Sequence, residues 1–153
     1  MINKEKQQDL FFKNIEGASE FFYIDSKGNL HTHVNTDYMF SKYNLQVIFN
    51  TSNIQIITQI EDIELNSLNN WTRQAIEDLF ESLNSINKNG HFYIDCKTDK
   101  LSFISLCLFE DLINADNPWL VLFSGIETTA FFADSIQDVI NGSKIFYIKQ
   151  NIK

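Results

Sequence analysis

The chain has 153 residues, of which 44% are hydrophobic and 14% aromatic, with fourteen phenylalanines and a single proline. This length and composition are typical of one globular domain whose core needs neither disulfides nor metal. The net charge of −8 argues against nucleic acid and anionic membranes as partners, because the summed field repels phosphate. The sequence contains no long apolar run and no apolar N-terminal segment, so we expect a cytoplasmic protein.

The first sixty residues predict a helix followed by two hairpins. Helix formers over residues 3–13 place Leu10 and Phe11 on one apolar side. The segments FFYID and LHTHV then flank a turn in which Gly28 can take a positive φ. The segments NLQVIF and IQIITQI flank a second turn at residues 50–53. Because apolar and polar residues alternate incompletely in this second hairpin, we expect part of it to be covered on both faces.

The most regular pattern in the chain is an amphipathic helix between Trp71 and Asn87. Asn69 or Asn70 is a suitable N-cap for this helix, and Arg73 and Glu77 form an i,i+4 pair on its polar side. Steps of three and four residues predict the stripe of side chains that faces the core, namely Trp71, Ala75, Leu79, Leu83 and Ile86.

A third hairpin follows this helix. Asn89 and Gly90 can take the left-handed conformation that closes a helix. The runs HFYID and LSFISLCLF predict two antiparallel strands joined by the polar loop 96–100. Cys96 and Cys107 lie at unequal distances from this turn, so we expect them not to face each other and to stay reduced.

A combined pattern joins the helix to the hairpin: Leu83-Asn84, then Asn87, then Tyr93-Ile94-Asp95, then the strand 101–108. This pattern resembles the bacterial YbjN family, which is similar in fold to the type III secretion chaperones. The resemblance implies one α+β domain over residues 1–153, and homodimers that hold an extended client polypeptide against hydrophobic patches without chemistry of their own. We expect Asn84 and Asn87 to hydrogen-bond the backbone of the helix end and its exit loop.

The C-terminal third predicts one long helix. Pro118 favours the first helical turn, and apolar residues from Trp119 to Ile140 keep helical spacing over about six turns. Gly142 is expected to end this helix, and the strand-like segment KIFYIKQ (residues 144–150) to join a sheet edge or to pair with another copy. The whole pattern predicts an α+β fold, an antiparallel sheet of hairpins packed with about three helices.

Candidate chemistry is sparse. His31 and His33 share one face of a predicted strand, and can begin a metal site with His91 or a carboxylate. No further ligand motif, glycine-rich phosphate loop or nucleophile elbow accompanies them. We therefore expect no enzyme, no cofactor and no bound metal, with a small-ligand or metal-binding domain on the His31 and His33 face as an alternative.

The main functional hypothesis is a non-enzymatic protein-binding module. One phenylalanine of each adjacent pair is expected in the core and the other under a loop, while a client-binding groove is the second interpretation. We also expect a homodimer, formed through either the last helix or the strand 101–108. An immunity or antitoxin-like inhibitor with an acidic surface is the alternative class. The candidate partner-binding residues are Phe11, Phe12, Phe21, Phe22, Leu106, Phe131 and Phe132.

Overall fold

An antiparallel sheet of six strands organises the fold. The computed structural model describes residues 3–151, with side chains up to residue 143. The strands are β1 (Tyr23–Ile24), β2 (Leu30–Asn35), β3 (Lys42–Phe49), β4 (Asn53–Ile60), β5 (His91–Ile94) and β6 (Leu101–Leu108). Their order is β1-β2-β3-β4-β6-β5, and every neighbouring pair is antiparallel. The predicted α+β class and the three hairpins are confirmed.

Residues 3–151 form seven α-helices rather than about three. They are α1 (Lys4–Asn14), α2 (Ala18–Phe21), α3 (Asn70–Ile86), α4 (Phe109–Ile113), α5 (Pro118–Leu122), α6 (Ser124–Phe131) and α7 (Ala133–Asn151). Side-chain caps begin the two predicted helices α1 and α3, where Asn3 accepts from the amide of Lys6 and Asn69 from the amide of Thr72. The additional helices are short segments and pieces of the C-terminal helix.

The first hairpin is shorter than its composition predicts. Phe21 belongs to α2, and only Tyr23 and Ile24 of the FFYID segment form a strand. Gly17 has a φ of 83° and begins α2, which directs the two following phenylalanines towards the helical layer instead of along the sheet. The predicted turn is confirmed, because Gly28 has a φ of 81°.

The helix α3 exists as predicted, but its buried face is rotated by about one residue. Of the predicted stripe only Leu83 is fully buried, while Ala75 and Leu79 are half-buried and Trp71 and Ile86 are exposed. The buried side chains are Thr72, Ile76, Phe80 and Leu83. The predicted stripe is out of phase because the buried face begins at Thr72, which is polar. The large apolar Trp71 beside it therefore set the phase of the predicted stripe.

The end of α3 also differs from its prediction. Asn87 has an extended conformation, and neither Asn89 nor Gly90 has a positive φ. The side chain of Asn87 instead accepts a hydrogen bond from the Asn89 amide at 3.0 Å, which closes the turn. Glycine is required at position 90 for close packing, because a Cβ atom there would collide with the carbonyl oxygen of Ile104.

The predicted long C-terminal helix is divided at Phe123 and Phe132, where ψ rises to 4° and 10°. The breaks divide the apolar residues among three helices with different neighbours: α6 packs on β4 and β6, whereas α7 packs mainly on α3. The predicted strand at residues 144–150 is wrong, because α7 continues to Asn151 with Gly142 inside it. Extending an existing helix costs less than starting a strand, and this outweighs the local composition.

All seven helices contribute to two hydrophobic clusters on one face of the sheet, here called the inner face. One cluster joins α3, α6 and α7 to the strands β5 and β6, with Phe92 and Phe103 among its members. The other joins α1, α2, α4 and α5 to β2, β3 and β4. Val34 and Phe123 pack against both clusters. The strand residues in both clusters point to the inner face, so the opposite face belongs to neither.

Candidate protein-binding surfaces

The seven predicted partner-binding residues divide into buried and exposed groups. Phe11 and Phe22 are core residues, and Phe12 and Phe21 are half-buried against the same cluster. Phe11 and Phe22 are therefore inaccessible to a partner, whereas Phe12 and Phe21 keep part of their surface exposed and stay partner-binding predictions. Phe132 is half-buried, whereas Phe131 is 80% exposed and Leu106 is 63% exposed. Phe131 and Leu106 lie on two separate surfaces.

The first surface is an open groove of about 640 Å³ between the end of α3 and the helix α6. We call it the α3–α6 groove. Two large apolar side chains, Ile86 and Phe131, are exposed at 68% and 80%. It is lined by Ile86, Asn87, Lys88, Asn89, Glu127, Thr128, Phe131 and Phe132. The sequence pattern predicts Ile86 in the core. It lies in this groove instead because the buried face of α3 is rotated by about one residue from the predicted stripe.

The base of the α3–α6 groove is anchored in the core by aromatic contacts. The ring of Phe132 meets Phe92 edge-to-face with centroids 5.9 Å apart, and meets Phe131 in the same way at 4.9 Å. Phe92 in turn contacts Phe103 on β6. The exposed ring of Phe131 therefore sits on a rigid support, which lowers the entropy lost when a partner contacts it.

Polar groups surround the α3–α6 groove. The hydroxyl of Tyr38 donates to the Glu127 carboxylate at 3.0 Å, and this bond together with the Glu127 charge raises the pKa of Tyr38. The hydroxyl of Thr128 donates to the Ser124 carbonyl, so its proton is already engaged within α6. Lys88 is the cationic residue of the lining. This arrangement combines an apolar centre with a mixed polar rim, which is typical of a binding surface.

The second surface is the outer side of the sheet. Antiparallel register places Ile48, Gln55 and Leu106 in one row, and Gln46, Ile57 and Ile104 in the next. We define the open face as these six residues together with His31, His91 and Leu108. Leu106 and Leu108 are 63% and 56% exposed, and none of the aliphatic residues of the open face belongs to either core cluster.

Leu106, His31 and His91 are the residues of the open face that the sequence singles out, whereas its glutamines and its other aliphatic residues are not. Part of the second hairpin is predicted to be covered on both faces, whereas the packed helices lie on the inner face. Ile48 lies between the inward-facing Val47 and Phe49, and Ile57 and Ile104 each follow an inward-facing apolar residue, so all three resemble core residues in the sequence. The available signal was the glutamines at positions 46 and 55, because these alternate with inward-facing residues and mark the outer side.

The open face has an unusual charge distribution. None of the residues in the six described strands is aspartate or glutamate, although the chain contains twenty acidic residues. All three histidines of the chain point to the outer side, His31 and His33 from β2 and His91 from β5. The acidic groups therefore lie on helices, turns and loops around a sheet that carries none.

His31 contacts both a carboxylate and an aromatic ring. Its Nε2 atom lies 2.5 Å from the carboxylate of Asp25, and the ring of Tyr23 stacks on it with centroids 5.5 Å apart. Burial raises the pKa of Asp25, but hydrogen bonds from Asn29, His31 and Lys27 and the charge on His31 outweigh this and hold it below its ordinary value. The pair fixes the first hairpin.

The three histidines do not converge. His31 and His91 lie in the same row, but β3, β4 and β6 separate their strands, a distance of about 19 Å at the usual strand spacing. Within the described residues, no group of three or more histidines, cysteines and acidic residues has a geometry that would hold a metal ion. His33 shares the face of His31, as predicted.

Ion pairs fix the loop between β5 and β6 at the end of the open face. Arg73 pairs with Asp99 at 3.1 Å, in place of its predicted pairing with Glu77. Lys100 lies 3.2 Å from Glu61 and 3.4 Å from Glu64. Burial lowers the pKa of Lys100, but these carboxylates outweigh that effect and raise it.

The two thiols occupy different environments. Cys96 is exposed in the loop after β5, whereas Cys107 lies on β6 opposite Ile54. Burial, with a smaller contribution from the charge of Asp111, raises the pKa of the Cys107 thiol. The raised pKa keeps Cys107 protonated and unreactive at neutral pH, since the thiolate is the nucleophilic form.

The fold and these two surfaces define an α+β protein with helices on one side of an antiparallel sheet. The chain matches no protein-family model, no curated protein and no solved structure. The resemblance to the YbjN family therefore stays a prediction. Among the helices within residues 3–151, none is both long and apolar enough to span a membrane.

Proposed function

We propose that the chain is a non-enzymatic protein-binding module whose α3–α6 groove holds an apolar segment of a partner polypeptide. The observation that carries this proposal is the exposure of Phe131 and Ile86 at one groove. Burying a large apolar side chain contributes about 1.5–3 kcal/mol, so leaving two exposed on a rigid base forgoes stability that a partner would supply. The resemblance to the YbjN family and secretion chaperones supports the same kind of function.

The groove favours a polypeptide over a small ligand. It is open along one side, whereas small-molecule sites usually enclose most of their ligand. Its two exposed apolar residues match a segment that presents apolar side chains on one side, in the manner of hot-spot contacts. Because the chain has a net charge of −8, basic residues flanking this segment would increase its association rate.

A peptide library displayed on phage tests this proposal on the purified full chain. We expect selection of peptides with aromatic or aliphatic residues beside lysine or arginine. The affinity of a selected synthetic peptide, measured by isothermal titration calorimetry, should fall at least about 30-fold with Phe131→Asp, because the substitution removes a central aromatic contact. Leu120→Asp is the matched control, since Leu120 is 68% exposed on α5 and does not line the groove.

Two outcomes would reject the groove as the binding site. The first is a selection that yields no binding peptide. The second is a selected peptide that binds the Phe131→Asp and Leu120→Asp variants equally well. Circular dichroism on both variants verifies that each is folded, which both should be because the two side chains are exposed.

The immunity or antitoxin-like alternative has its own structural support. Glu77, Asp78 and Glu81 form an exposed acidic strip on α3, beside a shallow cleft of about 400 Å³ that reaches β5. A basic partner site would be attracted to this strip. Selected peptides that lose affinity with Glu77→Lys and Glu81→Lys, but not with Phe131→Asp, would favour this alternative over the α3–α6 groove.

A cytoplasmic location is part of the proposed function. The exposed Cys96 thiol supports it, because an unpaired surface thiol is typical of a reducing compartment. Fractionation of the source cells with an antibody against the chain tests this location. Recovery in a membrane or secreted fraction would reject it.

A further inference from the structure

The charge distribution restricts how two copies of this chain can meet. Each copy carries a net charge of −8, so most pairs of surfaces bring carboxylates together and repel. The six described strands carry no carboxylate, and the open face presents Ile48, Ile57, Ile104 and Leu106 at its centre. Apposing two open faces therefore buries apolar side chains, and the carboxylate of Asp25 at the edge of this face is already paired with His31.

We propose that a second copy of this chain docks on the open face, sheet against sheet, in a two-fold homodimer. In such an isologous contact the same patch meets itself, which requires a surface without a dominant charge. The open face satisfies this requirement, because glutamines alternate with its aliphatic residues and its histidines lie towards the edges. This inference is independent of the α3–α6 groove, which lies on the helical side of the sheet.

The area of the open face fits a modest dimer. The strands β3, β4 and β6 have eight residues each and β2 has six, which gives a face about 26 Å long and about 19 Å wide at standard strand spacing. Two such faces bury about 1,000 Å² in total, which is near the lower limit of specific interfaces. We therefore expect a dissociation constant in the micromolar range and a folded monomer at low concentration.

The sheet edges favour contact through the face rather than through added strands. On the edge strand β5, the backbone N–H and carbonyl of Phe92 are both bonded to the side chain of Asn84. The other edge strand, β1, has two residues. Neither edge offers a long row of free backbone groups to a second copy. An edge-to-edge dimer is therefore disfavoured.

Sedimentation equilibrium on the full chain tests the proposal. The average mass should rise from 17.8 kDa towards twice that value as the concentration is raised to about 0.5 mM. Gln55→Glu adds one carboxylate at the centre of the open face and should weaken the dimer at least about tenfold. Gln137→Glu is the matched control, because it adds the same charge on α7 and should leave the dimer unchanged.

Salt dependence and two further variants distinguish a dimer formed through the open face from one formed through the α3–α6 groove. Raising the salt concentration from about 0.05 M to about 0.5 M should strengthen the dimer, because salt screens repulsion between the acidic copies. Leu106→Lys should weaken the dimer as Gln55→Glu does, and Phe131→Asp should not. A mass fixed at 17.8 kDa, a dimer weakened by salt, or a dimer lost with Phe131→Asp but kept with Gln55→Glu would each overturn the proposal.

Discussion

The side-chain amide of Asn84 bonds both backbone groups of Phe92. Its Nδ2 atom donates to the Phe92 carbonyl at 2.9 Å, and its Oδ1 atom accepts from the Phe92 amide at 2.7 Å. Phe92 lies on β5, the last strand of the sheet, so these are the groups that an additional strand would use. A residue of α3 thus closes the edge of the sheet. The predicted bond to the exit loop is made by Asn87, whereas Asn84 reaches past that loop to the strand.

We therefore predict that Asn84→Ala both destabilises the chain and promotes aggregation. Losing two hydrogen bonds at a half-buried site should lower the free energy of unfolding by about 1–2 kcal/mol. The uncovered edge should also bind thioflavin T during incubation, because unpaired strand edges nucleate β-aggregates. Urea denaturation and thioflavin fluorescence measure these effects. Asn87→Ala is the control, since Asn87 bonds only an exposed turn, and equal effects from both variants would contradict the edge-closing role.

Local patterns predicted much of this fold. The three hairpins follow from turn residues such as Gly28, α1 from its helix formers, and α3 from its cap and spacing, because these features depend on neighbours in sequence. The breaks at Phe123 and Phe132 were not predictable, since they depend on which distant elements each helix packs against. The tail at residues 144–150 was mispredicted because its composition favours a strand while the preceding helix favours continuation.

The candidate surfaces were predicted only in part. Phe131 and Leu106 were identified as partner-binding candidates and are exposed, whereas Phe11 and Phe22 were identified by the same aromatic-pair argument and are buried. Composition cannot distinguish these cases, because the choice depends on which helix covers each ring. The lack of carboxylates on the open face was visible in the sequence only after the strands were assigned.

The phase of α3 gives a direct stability prediction. Leu83→Asp should lower the free energy of unfolding by about 3 kcal/mol or more, because it places a charge in the core without a partner. Phe103→Asp, on the inner face of β6, should have a similar effect. Ile86→Asp is the matched control, since Ile86 is 68% exposed although the sequence pattern placed it in the same stripe. Thermal unfolding measures all three variants. A large loss of stability with Ile86→Asp would mean that Ile86 is buried, as the sequence pattern predicts.

The pair of Asp25 and His31 predicts a pH-dependent contribution to stability. The pKa of Asp25 is lowered from its ordinary value of 3.8, so the folded state favours the charged carboxylate. This stabilisation is present above pH 3.8 and is lost as the pH falls through the folded-state pKa. The Asp25→Asn variant lacks this stabilisation. The gap in free energy of unfolding between the original chain and the variant should therefore be about 1 kcal/mol at pH 5 and should shrink towards pH 2.

Urea denaturation across this pH range measures the gap for Asp25→Asn. Asp138→Asn serves as the control, because it removes one carboxylate in the same way from an exposed position on α7. A gap for Asp25→Asn that stays constant from pH 5 to about pH 2 would show that the carboxylate is not preferentially stabilised in the folded chain.

The contact between Gly125 and Thr58 predicts the cost of adding a single methyl group. A Cβ atom at position 125 would collide with the Thr58 hydroxyl, and would lie 3.3 Å from the ring of Phe103. Alanine favours a helix over glycine by about 1 kcal/mol, but overpacking a core costs about 1–3 kcal/mol and the backbone of α6 has little room to move. We therefore expect Gly125→Ala to lower the free energy of unfolding by about 1–2 kcal/mol.

A double-mutant cycle identifies the cause of this loss. The Thr58 hydroxyl is buried without a hydrogen-bond partner in the described structure, so Thr58→Ala alone should cost about 1 kcal/mol, from the lost packing of its methyl group and not from a lost hydrogen bond. In the Thr58→Ala background the added methyl group meets no hydroxyl, and Gly125→Ala should lose most of its cost or become stabilising through helix propensity. The two substitutions should therefore couple by at least about 1 kcal/mol in urea denaturation. Additive effects would mean that α6 shifts to accommodate the methyl group, and that Thr58 does not set its distance from the sheet.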